Sequence, residues 1–62
     1  MIRRGKVKDV DKNGMGIIMD ENHQEIRFSS ESIFDDPEVD SEVTFNIVLT
    51  TEGLRAIDVV TV

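Results

Sequence analysis

The side chains that most often carry catalysis or bind metals form no recognisable site in this sequence. His23 is the only histidine and cysteine is absent, so the usual zinc ligands and a thiolate nucleophile are lacking. The acids between Asp35 and Asp40 do not have the D-x-D-x-D-G spacing that surrounds calcium. No nucleophile is paired with a base, and strand packing explains Gly14-Met15-Gly16 better than phosphate binding does. We therefore expect no enzymatic activity, no catalytic residue, no metal and no cofactor.

Charge is the first feature that bears on a binding partner. The chain has 7 Lys and Arg against 13 Asp and Glu, a net charge of −6, which is unfavourable for an ordinary phosphate binder. Residues 1–12 nevertheless contain five bases and two acids, a local charge of +3, whereas the remaining residues contain two bases and 11 acids, a local charge of −9. Such polarity can orient a charged partner. The two late bases are Arg27 and Arg55.

Length and hydropathy limit the class of protein. The 62 residues predict a single domain over 1–62, which buries only about 60% of its unfolded surface and leaves no room for a deep substrate cleft. We therefore expect no small-molecule substrate. No apolar run approaches the roughly 18 residues that cross a membrane, and Met1–Arg4 is not followed by the hydrophobic stretch of a signal peptide. These features predict a cytoplasmic protein without a membrane partner.

A hydrophobic period of two predicts strands. In the segment 42–49, Val43, Phe45, Ile47 and Leu49 alternate with mostly polar residues, as in a half-buried strand. The segment 25–29 repeats the pattern. A first strand is predicted to begin at Gly5, a second to cover 15–19 and a last one 54–62, with turn-forming residues at 11–14, 20–23 and 50–53.

The segment Ser29–Ser41 separates the third predicted strand from the fourth. It contains Pro37 and five of the six acids between Glu31 and Glu42, with no base. Ser30 is a plausible N-cap for one short helical turn over 30–34, and no segment predicts a long helix.

Five short strands in a chain of this size predict a closed barrel. An open sheet would leave unpaired backbone groups at its edges, and a five-stranded Greek-key barrel of the OB type removes them. An SH3-like barrel is the main alternative, and periodicity alone does not separate the two.

The order of the short motifs resembles the cold-shock domain family. That family typically has G-K-V-K-W-F-N, K-G-F-G-F-I and D-V-F-V-H-F-S-A-I in succession, and this chain has similar segments at 5–8, 14–18 and 25–28. Val43-Thr44-Phe45 is similar to the family's V-x-F, and 53–59 to its G-P-x-A-x-N-V. The likeness covers nearly the whole chain, with a small deletion near Lys12-Asn13 and a shortened loop before Val39.

The resemblance implies an OB barrel that binds single-stranded RNA or DNA. In the family, aromatic side chains on the outer faces of the first three strands stack on bases. The matching positions here carry no aromatic residue; they are Asp9, Met15, Ile17, Arg27, Ser29 and Ser30. Since stacking contributes about 1–3 kcal/mol per base, losing several stacks should cost on the order of 5 kcal/mol. The positions that match the family's core stay apolar; they are Val7, Ile18, Ile26, Phe28, Val43, Phe45 and Val59.

We therefore predict a cold-shock-like OB module that retains weak binding of single-stranded nucleic acid. The candidate binding residues are Lys8, Lys12, Met15, Ile17, Arg27 and Ser29. Arg27 could replace a lost aromatic, because a guanidinium stacks on bases and pairs with phosphate. The alternatives are a solvated Arg27 opposite an acid, and lysines whose charge is neutralised by the neighbouring acids.

A protein-interaction module is the rival prediction. If the family's geometry holds, Met15 and Ile17 are exposed apolar side chains beside Gly16, and with an acidic rim they could form a protein interface. Alternatively, the long loop buries both side chains. The missing aromatics favour the rival, whereas the whole-chain resemblance and the basic first strand favour nucleic-acid binding.

Overall fold

The fold was analysed in a computed structural model, which describes residues 2–11, 13–29 and 37–62. The described residues form five strands and no helix. The strands are β1 (Arg3–Val10), β2 (Gly16–Asp20), β3 (Glu25–Phe28), β4 (Glu42–Thr50) and β5 (Gly53–Thr61). The helical turn predicted over 30–34 lies outside the described residues. None of the described residues belongs to a helix that could span a lipid bilayer.

The five strands close into a barrel with the order β1-β2-β3-β5-β4. β1 pairs antiparallel with both β2 and β4, and β4 pairs antiparallel with β5. The barrel is completed by a short parallel pairing of β3 with β5, where Arg27 lies opposite Arg55. The prediction of an all-β, closed five-stranded barrel is confirmed, and β1 begins two residues before the predicted Gly5.

The alternating apolar residues fill the barrel. All seven side chains that match the family's core positions are at most 1% exposed, and Ala56 joins them. Complete burial of one large apolar side chain stabilises the fold by about 1.5–3 kcal/mol, so these residues hold the strands in register. The core cluster consists of Val7, Ile18, Ile26, Phe28, Val43, Phe45, Ala56 and Val59.

The prediction that Leu49 faces the core is wrong. Its side chain is 80% exposed, although it has the same parity in β4 as the buried Phe45. The pairing of β1 with β4 ends where Arg3 lies opposite Phe45, and beyond this point β4 continues as a two-stranded hairpin with β5. Ile47 still packs against the core, but Leu49 lies past its end.

Gly16 is required by packing, as the sequence predicts. A Cβ atom at this position would lie 2.4 Å from the Phe28 Cζ atom and 2.6 Å from the Asp9 carbonyl oxygen. The absence of a side chain therefore lets the Phe28 ring lie against β2.

Two turns of the same design hold β2 between its neighbours. In the β1–β2 turn, Asp11 Oδ1 accepts hydrogen bonds from the Asn13 and Met15 amides at 2.9 and 3.0 Å. In the β2–β3 turn, Asp20 Oδ1 accepts them from the second and fourth following amides at 2.8 and 2.9 Å. A carboxylate that bonds to nearby backbone in this way fixes a turn. The register of the outer face therefore depends on both turns.

The two turns differ in the burial of their carboxylates. Asp11 is exposed, whereas Asp20 is the buried charged residue among the described residues. Its second oxygen, Oδ2, lies 3.6 Å from Arg3 Nη1 and accepts no hydrogen bond from the described residues. Asp20 thus links the β2–β3 turn to the beginning of β1.

Candidate nucleic-acid interface

A bulge in β1 shapes the outer face of the barrel. Val7 lies opposite Ile18 and Asp9 lies opposite Ile17, so Lys8 is an extra residue in the ladder. A bulge of this kind redirects the neighbouring side chains. Lys8 and Asp9 are both exposed, so the strand presents both side chains to solvent.

Lys8 forms an ion pair across the outer face. Its Nζ atom lies 2.9 Å from Oε2 of Glu25 in β3, and both side chains are about half exposed. The compensating acid is therefore Glu25 rather than the sequence neighbours Asp9 and Asp11. An exposed pair contributes about 0–1 kcal/mol. Lys8 can therefore exchange Glu25 for a phosphate with little loss of free energy.

A continuous row of residues crosses all five strands on the outer face. Each member lies opposite the next in the ladders of the sheet. Two basic residues occupy the middle of this row, and apolar residues flank them. In strand order the members are Asp9, Ile17, Arg27, Arg55 and Val48.

Arg27 has no acid opposite it. It lies opposite Ile17 on one side and Arg55 on the other, and its side chain is exposed. The ion pairs among the described residues are made by Arg3, Lys8 and Arg55, and none involves Arg27. Arg27 is solvated, as the alternative prediction has it, but among the described residues no acid lies opposite it.

Arg55 is the member of the row that the sequence analysis did not select. Its Nη2 atom lies 2.8 Å from Glu52 Oε1 in an exposed ion pair three residues away. The charge count shows that Arg27 and Arg55 are the two bases after residue 12. Their adjacency depends on the parallel pairing of β3 with β5, for which the sequence carries no local signal. Like charges directly opposite one another are destabilising, and Glu52 already offsets the charge of Arg55.

Met15 and Ser29 lie at the end of the same face. The β2–β3 ladder ends where Gly16 lies opposite Phe28; Met15 lies just before β2 and Ser29 just after β3. Both are half-buried, as is Ile17. Met15 and Ile17 therefore expose less apolar surface than the protein-interaction prediction requires, without being fully buried. Lys12, the remaining candidate, lies outside the described residues.

The outer face of the described residues carries no aromatic side chain. The chain has three Phe and no Trp or Tyr; Phe28 and Phe45 are in the core, and Phe34 lies outside the described residues. No group of three or more His, Asp or Glu side chains in the described part of the chain is arranged to hold a metal ion. The chemistry that this face offers is cationic and planar at Arg27 and Arg55, beside the half-buried Ile17.

Of the comparisons with known proteins, the one with solved structures agrees with this architecture. No protein-family model matches the sequence, and no curated protein matches it significantly. A solved structure of Drosophila Unr CSD456, which contains cold-shock domains 4, 5 and 6, superposes with a TM-score of 0.85 at 18% identity. The match covers 100% of this chain and 27% of the Unr chain. The barrel described above therefore has the cold-shock-like OB fold.

Proposed function

We propose that this chain is a non-enzymatic OB module that binds single-stranded RNA or DNA weakly through the outer face of β1, β2 and β3. The observation that carries the proposal is the Arg27–Arg55 pair, two guanidinium groups in adjacent strands with apolar residues on either side. A guanidinium can stack on an unpaired base and donate hydrogen bonds to a phosphate. The fold is compatible with this proposal, since the barrel superposes on a solved structure of Unr cold-shock domains.

Weak binding follows from the residues that the face lacks. Each base stacked on an aromatic ring contributes about 1–3 kcal/mol, and this contribution is missing where Asp9 and Ile17 occupy the outward positions. The remaining attraction comes from charge, through Lys8, Arg27 and Arg55. Two of these three already have an acidic partner, Glu25 and Glu52 respectively. We therefore expect Arg27 to make the largest single contribution.

The uneven charge of the chain restricts where a nucleic acid can approach. The net charge is −6, so most of the surface repels phosphate. The bases of the described residues that lie nearest Arg27 are Arg55, directly opposite it in β5, and Lys8, two strands away in β1. Repulsion of phosphate by the acidic remainder of the surface would orient a nucleic-acid strand on this face, although it lowers the overall affinity for nucleic acid.

The alternative of a protein-interaction module is less well supported at Met15 and Ile17. Both side chains are half-buried, and Ile17 lies between the polar residues Asp9 and Arg27. The more exposed apolar side chains of the described residues lie elsewhere, with Leu49 at 80% exposure.

The proposal can be tested with Arg27→Ala and a matched charge control. Oligo-dT is titrated at low salt into isotope-labelled protein, and amide shifts are expected in β1, β2, β3 and around Arg55. Arg27→Ala should weaken binding about tenfold, which corresponds to about 1.4 kcal/mol. Arg4→Ala removes the same charge from an exposed position opposite Thr44, outside the row, and should have a much smaller effect.

Two results would contradict the proposal. One is an oligonucleotide that shifts amides only outside β1–β3 and Arg55, because the binding face would then be another surface. The other is an equal loss of affinity in Arg27→Ala and Arg4→Ala, which would show that net charge alone controls binding. Both variants should remain folded, since both side chains are exposed.

A further inference from the structure

Lys8 and Arg55, two of the bases on the outer face, are each paired with an acid of this chain. Lys8 Nζ lies 2.9 Å from Glu25 Oε2, and Arg55 Nη2 lies 2.8 Å from Glu52 Oε1. A nucleic-acid phosphate offers a base the same chemistry, an anionic oxygen that accepts charge-assisted hydrogen bonds. A phosphate that takes the place of a carboxylate exchanges one anion for another, so it gains little affinity from either base.

Glu25 lies on the outer face itself. In β3, exposed and buried residues alternate, so Glu25 and Arg27 are exposed on one side of the strand and Ile26 is buried between them. Lys8 reaches the Glu25 carboxylate across β2. Glu25 therefore places negative charge beside two bases, Lys8 with which it pairs and Arg27 which follows it on the same face.

The β4–β5 turn fixes the backbone of Glu52. The Thr50 hydroxyl accepts a hydrogen bond from the Glu52 amide at 3.1 Å and donates one to the Gly53 carbonyl at 2.8 Å. Gly53 has a φ of 113°, a conformation that glycine adopts readily. The turn thus holds Glu52 three residues before Arg55, where its carboxylate meets the guanidinium.

We infer that Glu25 and Glu52 are autoinhibitory residues, which occupy Lys8 and Arg55 in place of phosphate and so limit the affinity of the outer face for single-stranded nucleic acid. The inference rests on the proposed function, because it concerns the same face. Exposed ion pairs are weak, so the two acids lower the affinity without closing the face. Replacing either acid by its neutral amide should tighten binding about two- to fivefold, and replacing both about tenfold.

Glu25 should limit binding more than Glu52 does. Glu52 offsets one base, whereas Glu25 offsets Lys8 and also lowers the local positive charge at Arg27, which has no ion pair among the described residues. We therefore expect Glu25→Gln to tighten oligonucleotide binding more than Glu52→Gln does.

Asp58→Asn is the matched control for the loss of one negative charge. Asp58 lies in β5, as Arg55 does, and it is exposed. It makes no ion pair with the other described residues. Its φ of 54° belongs to a region in which Asn is enriched, so the variant should fold. Asp58→Asn removes the same charge as either Gln variant without releasing a base, and it should tighten binding less than both.

The experiment is a titration of oligo-dT, at one low salt concentration, into isotope-labelled whole chain. It compares the wild type with Glu25→Gln, Glu52→Gln, the double variant and Asp58→Asn, after circular dichroism has shown that each is folded. Glu25→Gln is also measured in a Lys8→Ala background. There it should tighten binding less than in the wild type, because the base that it releases is absent.

Two results would overturn the inference while the proposed function stands. One is a gain in Glu25→Gln and Glu52→Gln no larger than that in Asp58→Asn. The other is a gain in Glu25→Gln that Lys8→Ala does not reduce, because net charge alone would then explain it. A wild type that binds no oligo-dT would contradict the proposed function. The inference would still hold if the double variant bound oligo-dT on the outer face, and it would fail if the double variant did not.

Discussion

The inner and outer faces of the same strands differ in how much of the cold-shock pattern they retain. On the inner face of β2 and β3, Ile18, Ile26 and Phe28 are buried, and apolar residues occupy the positions where the family has them. One residue away on the outer face, Ile17 and Arg27 occupy positions where the family has aromatic rings. Alternate side chains of a strand point to opposite faces, so the two patterns can change independently.

This difference separates what maintains the fold from what binds a partner. Replacing an outward aromatic by a polar residue removes a stacking surface and leaves the core intact. The superposition on Unr CSD456, with a TM-score of 0.85 at 18% identity, shows how little identity this fold requires. We therefore expect core changes to act on stability and outer-face changes to act on binding.

The largest expected effect is that of Phe45→Ala on stability. Phe45 is 1% exposed and is one of the two largest side chains in the core. Truncating a buried Phe costs about 3–5 kcal/mol, which is comparable with the lower end of the stability of a small domain. Leu49→Ala, four residues along the same strand, is the control and should change the free energy of unfolding by much less. A thermal midpoint of Phe45→Ala within a few degrees of the wild type would show that the core is assigned incorrectly.

The second prediction concerns aromatic side chains introduced on the outer face. Asp9→Trp, Met15→Phe and Ile17→Phe together should rebuild a base-stacking surface, because Asp9 lies directly opposite Ile17 and Met15 just precedes β2. Each restored stack could contribute about 1–3 kcal/mol, so oligo-dT binding should tighten at least about 100-fold. The change at Asp9 also removes a negative charge from the basic strand.

The matched control for this triple variant places rings away from the binding face. Val62→Phe adds an aromatic side chain at an exposed position beside Glu42, and it should not tighten binding. A triple variant that is folded by circular dichroism and binds no more tightly than the wild type would mean that the three positions do not form one platform. The assignment of the outer face would then have to be abandoned.

The core could be predicted from the sequence because it depends on local alternation. All seven residues that match the family's core positions are buried, and the strand pattern together with the cold-shock resemblance gives the closed barrel. Leu49 shows where this reasoning fails. Leu49 lies on the same face of β4 as the core residue Phe45. Its burial also depends on how far β1 extends along β4, which the alternation of apolar and polar residues does not reveal.

The contacts of the candidate site were less predictable because they join distant strands. Lys8 pairs with Glu25 across β2, although the sequence places Asp9 beside it. Arg55 becomes a neighbour of Arg27 only through the β3–β5 pairing. The burial of Asp20, compared with the exposed Asp11 in a turn of the same design, is likewise set by the barrel and not by the local sequence.

The salt dependence of oligonucleotide binding tests most directly the claim that charge has replaced stacking on the outer face. With about three phosphate contacts and a release of about 0.7 counterions per contact, the logarithm of the affinity should fall with the logarithm of the salt concentration with a slope of about −2. The measurement is a titration of the wild type with oligo-dT at several salt concentrations, under conditions where the protein is monomeric. Weak binding at low salt that is lost at physiological salt is the predicted result. Sub-micromolar binding that persists at physiological salt, or no binding even at low salt, would contradict the account.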